Sequence, residues 1–345
     1  MAGIPAVTTP VPQDMSTKKG PPVASDGPRT PEPPIERKEG TTMPTQTTTP
    51  TETALEPGSP EWRKTMSASK VAAILGLSDE DSPYDSPLSL WNQMAGLDPG
   101  EGDSAVKRRG HYLESGIAAW FADEHPDWAI TAAGMWRHPE HSWATATPDR
   151  HIVTDTGAVE LLEVKSDRKG VFGTPGTDEI PVYYRAQGIW QMICSGRRRV
   201  HYAVLSNWLD FAEYTLDWDQ AEADMVFDLA AVFMDSLPGG AHPQQPPTDG
   251  HPKTLPSMLR AHAFVATDEP VEIPRAIADG YLTAYVGHKT AESAKRAAAA
   301  ALMEAVGAGK RATCEGQTIA TISAASETRR PALTPNNKAV KGFTS

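Results

Sequence analysis

This chain of 345 residues contains little cysteine and no long apolar run. Its two cysteines, Cys194 and Cys314, cannot supply a four-cysteine zinc or iron–sulfur site and give no disulfide framework, so a reducing compartment fits. No stretch is long and apolar enough to span a membrane, and the N-terminus has no apolar signal-peptide core. We therefore expect a cytoplasmic protein without a membrane partner.

Positive charge is also scarce, because 32 Lys and Arg residues stand against 44 Asp and Glu residues. This balance argues against a simple basic coat for nucleic acid, which needs Lys and Arg to neutralise phosphates. It does not exclude a nuclease, because nuclease carboxylates bind metal ions that invert the local charge. Two basic runs, residues 107–109 and 197–199, are either local phosphate contacts or solvated faces.

Apolar residues are few in residues 1–57, which are rich in Pro, Thr, Ser and Gly. Such a segment cannot bury enough surface to offset its ordering entropy, so we expect a disordered tail. Residues 58–240 have the pattern of a globular domain. Beyond it we expect a Pro- and Gly-rich linker over 241–265, an Ala-rich helical region with a small hairpin over 266–325, and a flexible tail over 326–345.

The predicted domain mixes helices with strands, which indicates an α/β fold with a mixed central sheet flanked by helices. An apolar stripe at helical spacing predicts a helix from about Lys107 to Glu124. Short alternating segments bounded by turn residues predict several strands, and two further helices follow. The strands are predicted at residues 129–137, 144–154, 158–165, 201–205 and 211–216, and the later helices at residues 181–196 and 219–236.

Two carboxylates and a lysine fall on the two strands of one predicted hairpin. If its turn centres on Thr156, antiparallel partners have residue numbers that sum to 312, and Asp149 lies opposite Glu163. Such cross-strand partners hold their Cβ atoms about 4.5–5.5 Å apart on one face of the sheet. Lys165 lies two residues beyond Glu163 and therefore shares that face.

Two carboxylates at this spacing repel each other unless a cation lies between them. Their oxygens suit Mg²⁺, which keeps several waters, and a bound water can become an attacking hydroxide. Lys165 would orient or deprotonate that water, or neutralise charge on the phosphate. The alternative is an ordinary surface salt-bridge cluster, and these three residues alone do not decide between the two. Glu114 and Gln187, on the helices before and after the hairpin, could both reach the same face.

A set of motifs in a fixed order extends over residues 60–235 and is far more specific than any one of them. The motifs are Trp62-Arg63, Ser67-Ala68-Ser69, Ile74-Leu75-Gly76-Leu77, Ser86 to Trp91, Gly110 to Glu114, Thr147-Pro148-Asp149, Leu162 to Lys165, and Pro181 to Met192. Together they resemble the YqaJ-like viral recombinase family, whose best-known relative is phage lambda exonuclease.

The resemblance implies a restriction-endonuclease-like PD-(D/E)XK core with metal ions at its active site. Asp149, Glu163 and the backbone carbonyl of Val164 would bind the metals, and Glu114 would lie near them, in contact through a water. Mg²⁺ would be the cofactor, with Mn²⁺ able to substitute. Lys165 would be the catalytic lysine.

The resemblance also assigns residues outside the hairpin. Gln187 would orient the catalytic lysine or the attacking water. Arg63 and Ser69 match positions that lie near the 5′-phosphate of a DNA end, although the local spacing varies within the family. Ser67 stands where Gly or Thr is frequent, and the hairpin is somewhat long for the family; neither departure moves the two carboxylates.

The function implied by the resemblance is a phage-type exonuclease that degrades one strand of linear duplex DNA, 5′ to 3′. It would expose single strands for a single-strand annealing protein, act in the host cytoplasm if a phage encodes it, and form a homo-oligomeric ring around the duplex. Two alternatives stay open. A structure-selective or restriction-like endonuclease would use the same core, and a catalytically idle protein would only bind DNA ends.

Overall fold

A computed structural model of the chain describes residues 55–56, 59–77, 84–100, 105–262, 269–324 and 330–344. The predicted tail over residues 1–57 lies outside these residues except for 55 and 56. The chain divides into two compact units, one up to Ala261 and one from His262 onward. No helix in the described residues is long and apolar enough to cross a membrane.

The first unit alternates helices with short strands. Its elements are α1 (Pro60–Arg63), β1 (Met66–Ser67), α2 (Ala68–Ile74), α3 (Pro87–Met94), α4 (Ala105–Glu124), β2 (Ala129–Ala132), β3 (Trp136–Arg137), β4 (Ala144–Ala146), β5 (Arg150–Val153), β6 (Val159–Asp167), α5 (Val182–Ser195), β7 (Arg199–Ser206), β8 (Phe211–Asp217), α6 (Gln220–Asp235) and α7 (Thr254–His262).

A five-stranded mixed sheet, in the order β2-β5-β6-β7-β8, forms the centre of the first unit. Only β6 and β7 run parallel, and the crossover between them contains α5. The other neighbouring pairs are antiparallel. A second sheet, in the order β1-β4-β3, lies beside α2 and α5. The predicted α/β class with a mixed sheet flanked by helices is confirmed.

Strand β6 lies in the middle of the central sheet and separates two cores. Leu162 and Val164 pack with Ile117 and Phe121 of α4. Leu161 faces the other way, into the larger core that includes the residues of α5. Because side chains alternate along a strand, Glu163 and Lys165 share the side of Leu161.

The register of the β5–β6 hairpin agrees with the sequence-based prediction. Arg150 pairs with Leu162 and Val153 with Val159, so partner numbers sum to 312 along the whole ladder. Asp149 directly precedes β5 and comes into line with Glu163. The predicted strand over 144–154 is nevertheless split into β4 and β5, because Pro148 has no N–H group to donate to a continuous ladder.

Helix α5 approaches the sheet unusually closely at one glycine. A Cβ atom added at Gly188 would lie 2.4 Å from the hydroxyl oxygen of Tyr202 on β7, so only glycine fits there. The same hydroxyl donates to the carbonyl of Tyr184 at 2.7 Å. As predicted, the helix ends at Gly196, whose φ of 69° is the left-handed conformation that glycine adopts without strain. The first turn of α5 is therefore fixed against the sheet.

The structure corrects the prediction of a linker over residues 241–265. Helix α7 lies within it and packs on α3 through polar contacts: the hydroxyls of Thr254 and Ser86 lie 2.6 Å apart, and Arg260 donates to Asp98 at 2.7 Å. Asp98 is only 1% exposed. The apolar pattern did not reveal this helix because side-chain hydrogen bonds anchor it.

The second unit consists of α8 (Arg275–Val306), β9 (Arg311–Cys314), β10 (Gln317–Ser323), β11 (Ala332–Pro335) and α9 (Asn337–Thr344). The predicted small hairpin is present as β9 and β10, and its turn contains Glu315 and Gly316, both with positive φ. The structure corrects the expected flexible tail over 326–345, because β11 adds a third strand and α9 packs on β10.

Candidate active site

Asp149 lies in the short gap between β4 and β5, beside the middle of β6. One of its carboxylate oxygens, Oδ2, accepts a hydrogen bond from the backbone N–H of Val164 at 2.7 Å. Burial raises the pKa of Asp149 well above its usual range, and the nearby Glu163 carboxylate raises it further. The ionised form of Asp149 therefore needs a cation nearby to offset its burial and the charge of Glu163.

Glu163 is the most tightly held side chain of the site and is only 3% exposed. Gln187 Nε2 donates to its Oε1 at 2.5 Å, and Gln191 Nε2 donates to its Oε2 at 2.6 Å. Lys165 also donates to Oε1 and forms an ion pair with it. Donors on both oxygens fix the plane of the carboxylate.

Lys165 is largely buried, with 15% of its side chain exposed. Burial alone would lower the pKa of Lys165, but Glu163 and the other anionic groups around it hold that pKa above its ordinary value. Its Nζ also lies 4.7 Å from the centre of the Tyr184 ring. The structure thus brings Asp149, Glu163 and Lys165 together, and we refer to them below as the acid–lysine cluster.

Glu114 reaches the edge of this cluster from α4. Its Oε1 accepts from Arg150 Nη1 at 2.7 Å, and the same nitrogen donates to the carbonyl of Asp149 at 2.6 Å. The charge of Glu114 contributes to the raised pKa of Asp149. Its carboxylate is therefore near the cluster, as predicted, but it is paired with a guanidinium.

Arg63 and Ser69 have different neighbours in the structure. Arg63 lines a cavity of about 430 Å³ with Lys64, His141 and Trp143, and Ser69 is not among the residues lining it. The hydroxyl of Ser69 lies 3.2 Å from that of Ser67. The two predicted phosphate contacts face different surroundings.

Three tyrosines next to the cluster were given no role on sequence grounds. Tyr183 and Tyr184 open α5, one turn before Gln187, and their ring centres lie 4.5 Å apart. The ring of Tyr84 lies 5.6 Å from that of Tyr183 and 6.5 Å from that of Tyr184. Helical spacing from Gln187 could have indicated Tyr184, but nothing local in the sequence connects Tyr84 with Lys165.

The donors of the cluster suit a hard cation. Asp149 and Glu163 offer carboxylate oxygens, and the burial that raises the pKa of Asp149 is what a bound cation would offset. Among the residues that the structure describes, no group of three or more His, Cys, Asp or Glu side chains forms a metal site by itself. A metal here would rely on the two carboxylates, backbone carbonyls such as that of Val164, and water.

Comparison with known proteins points to one family. Residues 61–198 match the model of the YqaJ-like viral recombinase domain. The uncharacterised protein YqaJ of Bacillus subtilis (strain 168) is 26% identical over 220 residues, which cover 63% of this chain and 66% of that protein. The chain thus spans slightly less than two thirds of the length of this relative.

Two solved structures are also similar. The alkaline exonuclease LHK-Exo from Laribacter hongkongensis is 21% identical, with a TM-score of 0.40, over 51% of this chain and 91% of that one. A phage-related exonuclease from Haemophilus somnus 129PT is 14% identical, with a TM-score of 0.38, over 49% of this chain and 92% of that one. Residues 61–198, the stretch that contains the acid–lysine cluster, are thus similar to the YqaJ-like viral recombinase domain.

Proposed function

We propose that the protein is a metal-dependent exonuclease that hydrolyses one strand of linear duplex DNA. The observation that carries this proposal is the convergence of Asp149, Glu163 and Lys165, with the Glu163 carboxylate fixed by two glutamine amides. Metal-dependent hydrolysis of a phosphodiester needs a cation site next to a group that can hold or move a proton. The position of the cluster inside the matched recombinase domain supports the same function.

Each residue of the cluster has a distinct task in this proposal. Asp149 and Glu163 would hold Mg²⁺, or Mn²⁺ in its place, together with the Val164 carbonyl, and Glu114 would contribute through a water. When bound, the cation supplies positive charge to the phosphate oxygens and lowers the pKa of a water. Lys165 would hold its ammonium group beside the attacking water and the phosphate.

The glutamines act through Glu163. Gln187 and Gln191 donate to opposite oxygens of its carboxylate, so they keep its free lone pairs pointed at the cation position. Gln187 also shares Oε1 with Lys165, and we infer that it limits where the ammonium group can move. In this way the first turns of α5 orient the reacting groups.

We extend the proposal to the direction and setting of the reaction. Degradation would run 5′ to 3′ from a DNA end whose 5′-phosphate contacts Arg63 and Ser69, and a homo-oligomeric ring would keep the enzyme on the duplex. The exposed single strand would pass to a single-strand annealing protein. These statements rest on the resemblance to the family, and each has its own assay: strand-specific end labels, sedimentation of the protein, and co-purification with the annealing protein.

The deciding experiment compares linear and covalently closed circular duplex DNA of one sequence. With Mg²⁺, the protein should degrade the linear form and leave the circle intact, EDTA should stop the reaction, and Glu163→Gln should be inactive. Cleavage of the circle would instead favour a structure-selective or restriction-like endonuclease with the same cluster. Binding of DNA ends without any cleavage, in Mg²⁺ and in Mn²⁺, would reject catalysis and favour a pure end-binding protein.

A further inference from the structure

Charge is distributed unevenly along this acidic chain. Residues 307–345 contain six Lys and Arg residues against two Asp and Glu residues, whereas residues 1–306 contain 26 against 42. A polyanion such as DNA is repelled by an excess of carboxylates and attracted by Lys and Arg. The region around β9, β10 and β11 is thus a stretch in which the balance of charge favours a polyanion.

The basic run over residues 197–199, in contrast, is engaged within the first unit. Arg199 donates to Asp217 at 2.6 Å and forms an ion pair with it. The guanidinium of Arg198 lies 4.1 Å from the ring centre of Trp218, and that of Arg197 lies 5.2 Å from the ring centre of Trp136. This run therefore offers less to a phosphate backbone than the sequence alone indicates.

Three cations of the second unit meet at one end of its sheet. Because the sheet is antiparallel, β9 starts where β10 ends and β11 starts. Lys310 and Arg311 lie at the start of β9, and the Lys310 carbonyl accepts from the N–H of Ile322 on β10. Arg330 comes two residues before β11. With neighbouring strands about 4.8 Å apart, these residues lie within roughly three strand widths of one another.

Hydroxyl groups accompany these cations on one face. Arg311 is in register with Thr321, which is in register with Thr334, so the three side chains share a face. All three residues are exposed, as are Lys310 and Arg330, whereas Ala312 and Ala320 on the opposite face are buried. No ion pair is seen for Lys310, Arg311 or Arg330 among the described residues.

We propose that this basic corner, defined as Lys310, Arg311, Thr321, Arg330 and Thr334, binds the phosphate backbone of duplex DNA. The proposal rests on the proposed function and adds a holding surface in the second unit. Arg, Lys and Thr side chains are the usual donors to phosphate oxygens and carry no base specificity. The corner contains no aromatic residue, whereas single-stranded DNA is usually held by stacking its bases on aromatic rings, so a duplex is the better ligand.

The test measures binding by the full-length protein in EDTA, where cleavage does not interfere. The variant combines Lys310→Gln, Arg311→Gln and Arg330→Gln. The matched control combines Arg275→Gln, Lys289→Gln and Arg296→Gln, which remove the same charge from exposed positions on α8. Fluorescence anisotropy of a short labelled duplex, and of its labelled single strand, titrated at several salt concentrations, gives each affinity and its salt dependence.

For the corner variant, the slope of log affinity against log salt should become shallower by about 2 to 3, because each lost phosphate contact contributes about 0.9. The control should keep the wild-type slope. A gain-of-contact variant, Thr321→Lys, should steepen the slope by about 1 and does not depend on removing any native residue. Thermal melting of every variant checks that the sheet remains folded.

Several results would overturn the proposal. A wild-type slope in the corner variant together with no steepening in Thr321→Lys would do so, as would an equal loss in the α8 control, which would reflect total charge alone. A loss confined to single-stranded DNA would assign the corner to a different ligand. If the wild type binds duplex through the corner but never cleaves it, the proposed function fails while this surface stands.

Discussion

Strand β6 and helix α8 show how differently this chain treats its charged groups. In β6 the residues from Leu161 to Val164 are buried, and Glu163 among them receives hydrogen bonds on both carboxylate oxygens. Helix α8 runs for 32 residues without a buried one, and its ion pairs are exposed pairs one turn apart, such as Arg275 with Asp279. Charges in the first setting are desolvated and fixed, whereas those in the second are screened and mobile.

The comparison implies different consequences of substitution in the two regions. A buried charge that loses its partner retains its full desolvation cost, whereas water replaces the partner of an exposed charge. Chemistry that needs a fixed carboxylate therefore belongs in the first region, and the exposed ion pairs of the second contribute little free energy. The following predictions test this contrast, from the largest expected effect to the smallest.

Replacing the buried carboxylate should have the largest effect. Glu163→Gln keeps the shape of the side chain, but its amide nitrogen faces the donors Gln187, Gln191 or Lys165 and cannot accept from them. We expect cleavage of linear duplex to fall by about 10³-fold or more, with the fold retained, because both cation binding and lysine placement depend on this group. Single-turnover cleavage measures the rate, and circular dichroism measures whether the fold is retained. Cleavage close to the wild-type rate would show that Glu163 is not needed for the reaction.

Asp149→Ala should also abolish cleavage, and its effect on stability has a definite sign. The pKa of Asp149 in the folded protein is raised from its ordinary value of 3.8 to about 8. The metal-free protein therefore loses stability as the pH rises from 3.8 to about 8. The variant should therefore be more stable than the wild type at neutral pH, and this advantage should vanish below 3.8. Urea unfolding in EDTA across pH measures it; a variant less stable at neutral pH would contradict the assignment.

Lys165→Ala should keep the cation site but lose about 10²–10⁴-fold in rate, because a positioned proton-transfer group contributes that much. Lys165→Arg should not restore the rate fully, since the guanidinium is planar and too long to occupy the position of the ammonium group. Single-turnover cleavage at saturating Mg²⁺ measures the effect of each variant on the rate, and calorimetric Mg²⁺ titration measures its effect on cation binding. An Arg variant as fast as the wild type would leave only a structural salt bridge with Glu163.

Two arginines, one paired with a buried carboxylate and one with an exposed carboxylate, allow the buried and exposed settings to be compared by the free energy of unfolding. Arg260→Ala leaves Asp98 buried without its main partner, so we expect the free energy of unfolding to fall by about 2 to 4 kcal/mol. Arg275→Ala breaks an exposed pair on α8 and should cost only about 0.3 kcal/mol. Urea denaturation of both variants measures the difference; equal losses would show that α7 is not docked through Asp98.

Acid should reduce the loss in free energy of unfolding that Arg260→Ala causes. Burial alone would raise the pKa of Asp98, but Arg260 and Ser257 hold it below its ordinary value of 3.8. A lowered pKa contributes stability that is present above 3.8 and is lost as pH falls through the folded-state value. The gap between Arg260→Ala and the wild type should therefore narrow below that pH.

The parts of the site that could be predicted from sequence are those set by local geometry. The hairpin register follows from the turn, and it places Asp149 opposite Glu163; the helical spacing of α5 places Gln187 near the sheet. Tyr84 lies 81 positions before Lys165, and no periodicity in the sequence encodes its contacts with the rings of Tyr183 and Tyr184. The pairing of β1 with β4, two strands of two and three residues, likewise depends on tertiary packing rather than on a local pattern.

The smallest expected effect concerns Tyr184, whose ring lies beside the Lys165 ammonium and was given no role on sequence grounds. Its ring is held between Lys165 and Phe172, whose ring centre lies 5.6 Å away, and its backbone carbonyl is held by Tyr202. A cation over an aromatic ring gains about 0.5 to 2 kcal/mol when partly desolvated. Tyr184→Leu should therefore lower the single-turnover rate by roughly 2- to 30-fold, whereas Tyr184→Phe, which keeps the ring, should stay near the wild-type rate.

The control for Tyr184 is its neighbour. Tyr183→Leu removes a ring from the same tyrosine group, and in the structure it is the Tyr184 ring over which the Lys165 ammonium lies. If Tyr184 acts by placing the ammonium, Tyr184→Leu should add nothing in a Lys165→Ala background, since two changes on one path are not additive. An equal further loss in that background, or an equal loss from Tyr183→Leu, would mean that the ring only supports the packing of α5. Because Tyr184→Phe preserves that packing and the ring face together, only the Leu variants separate the two explanations.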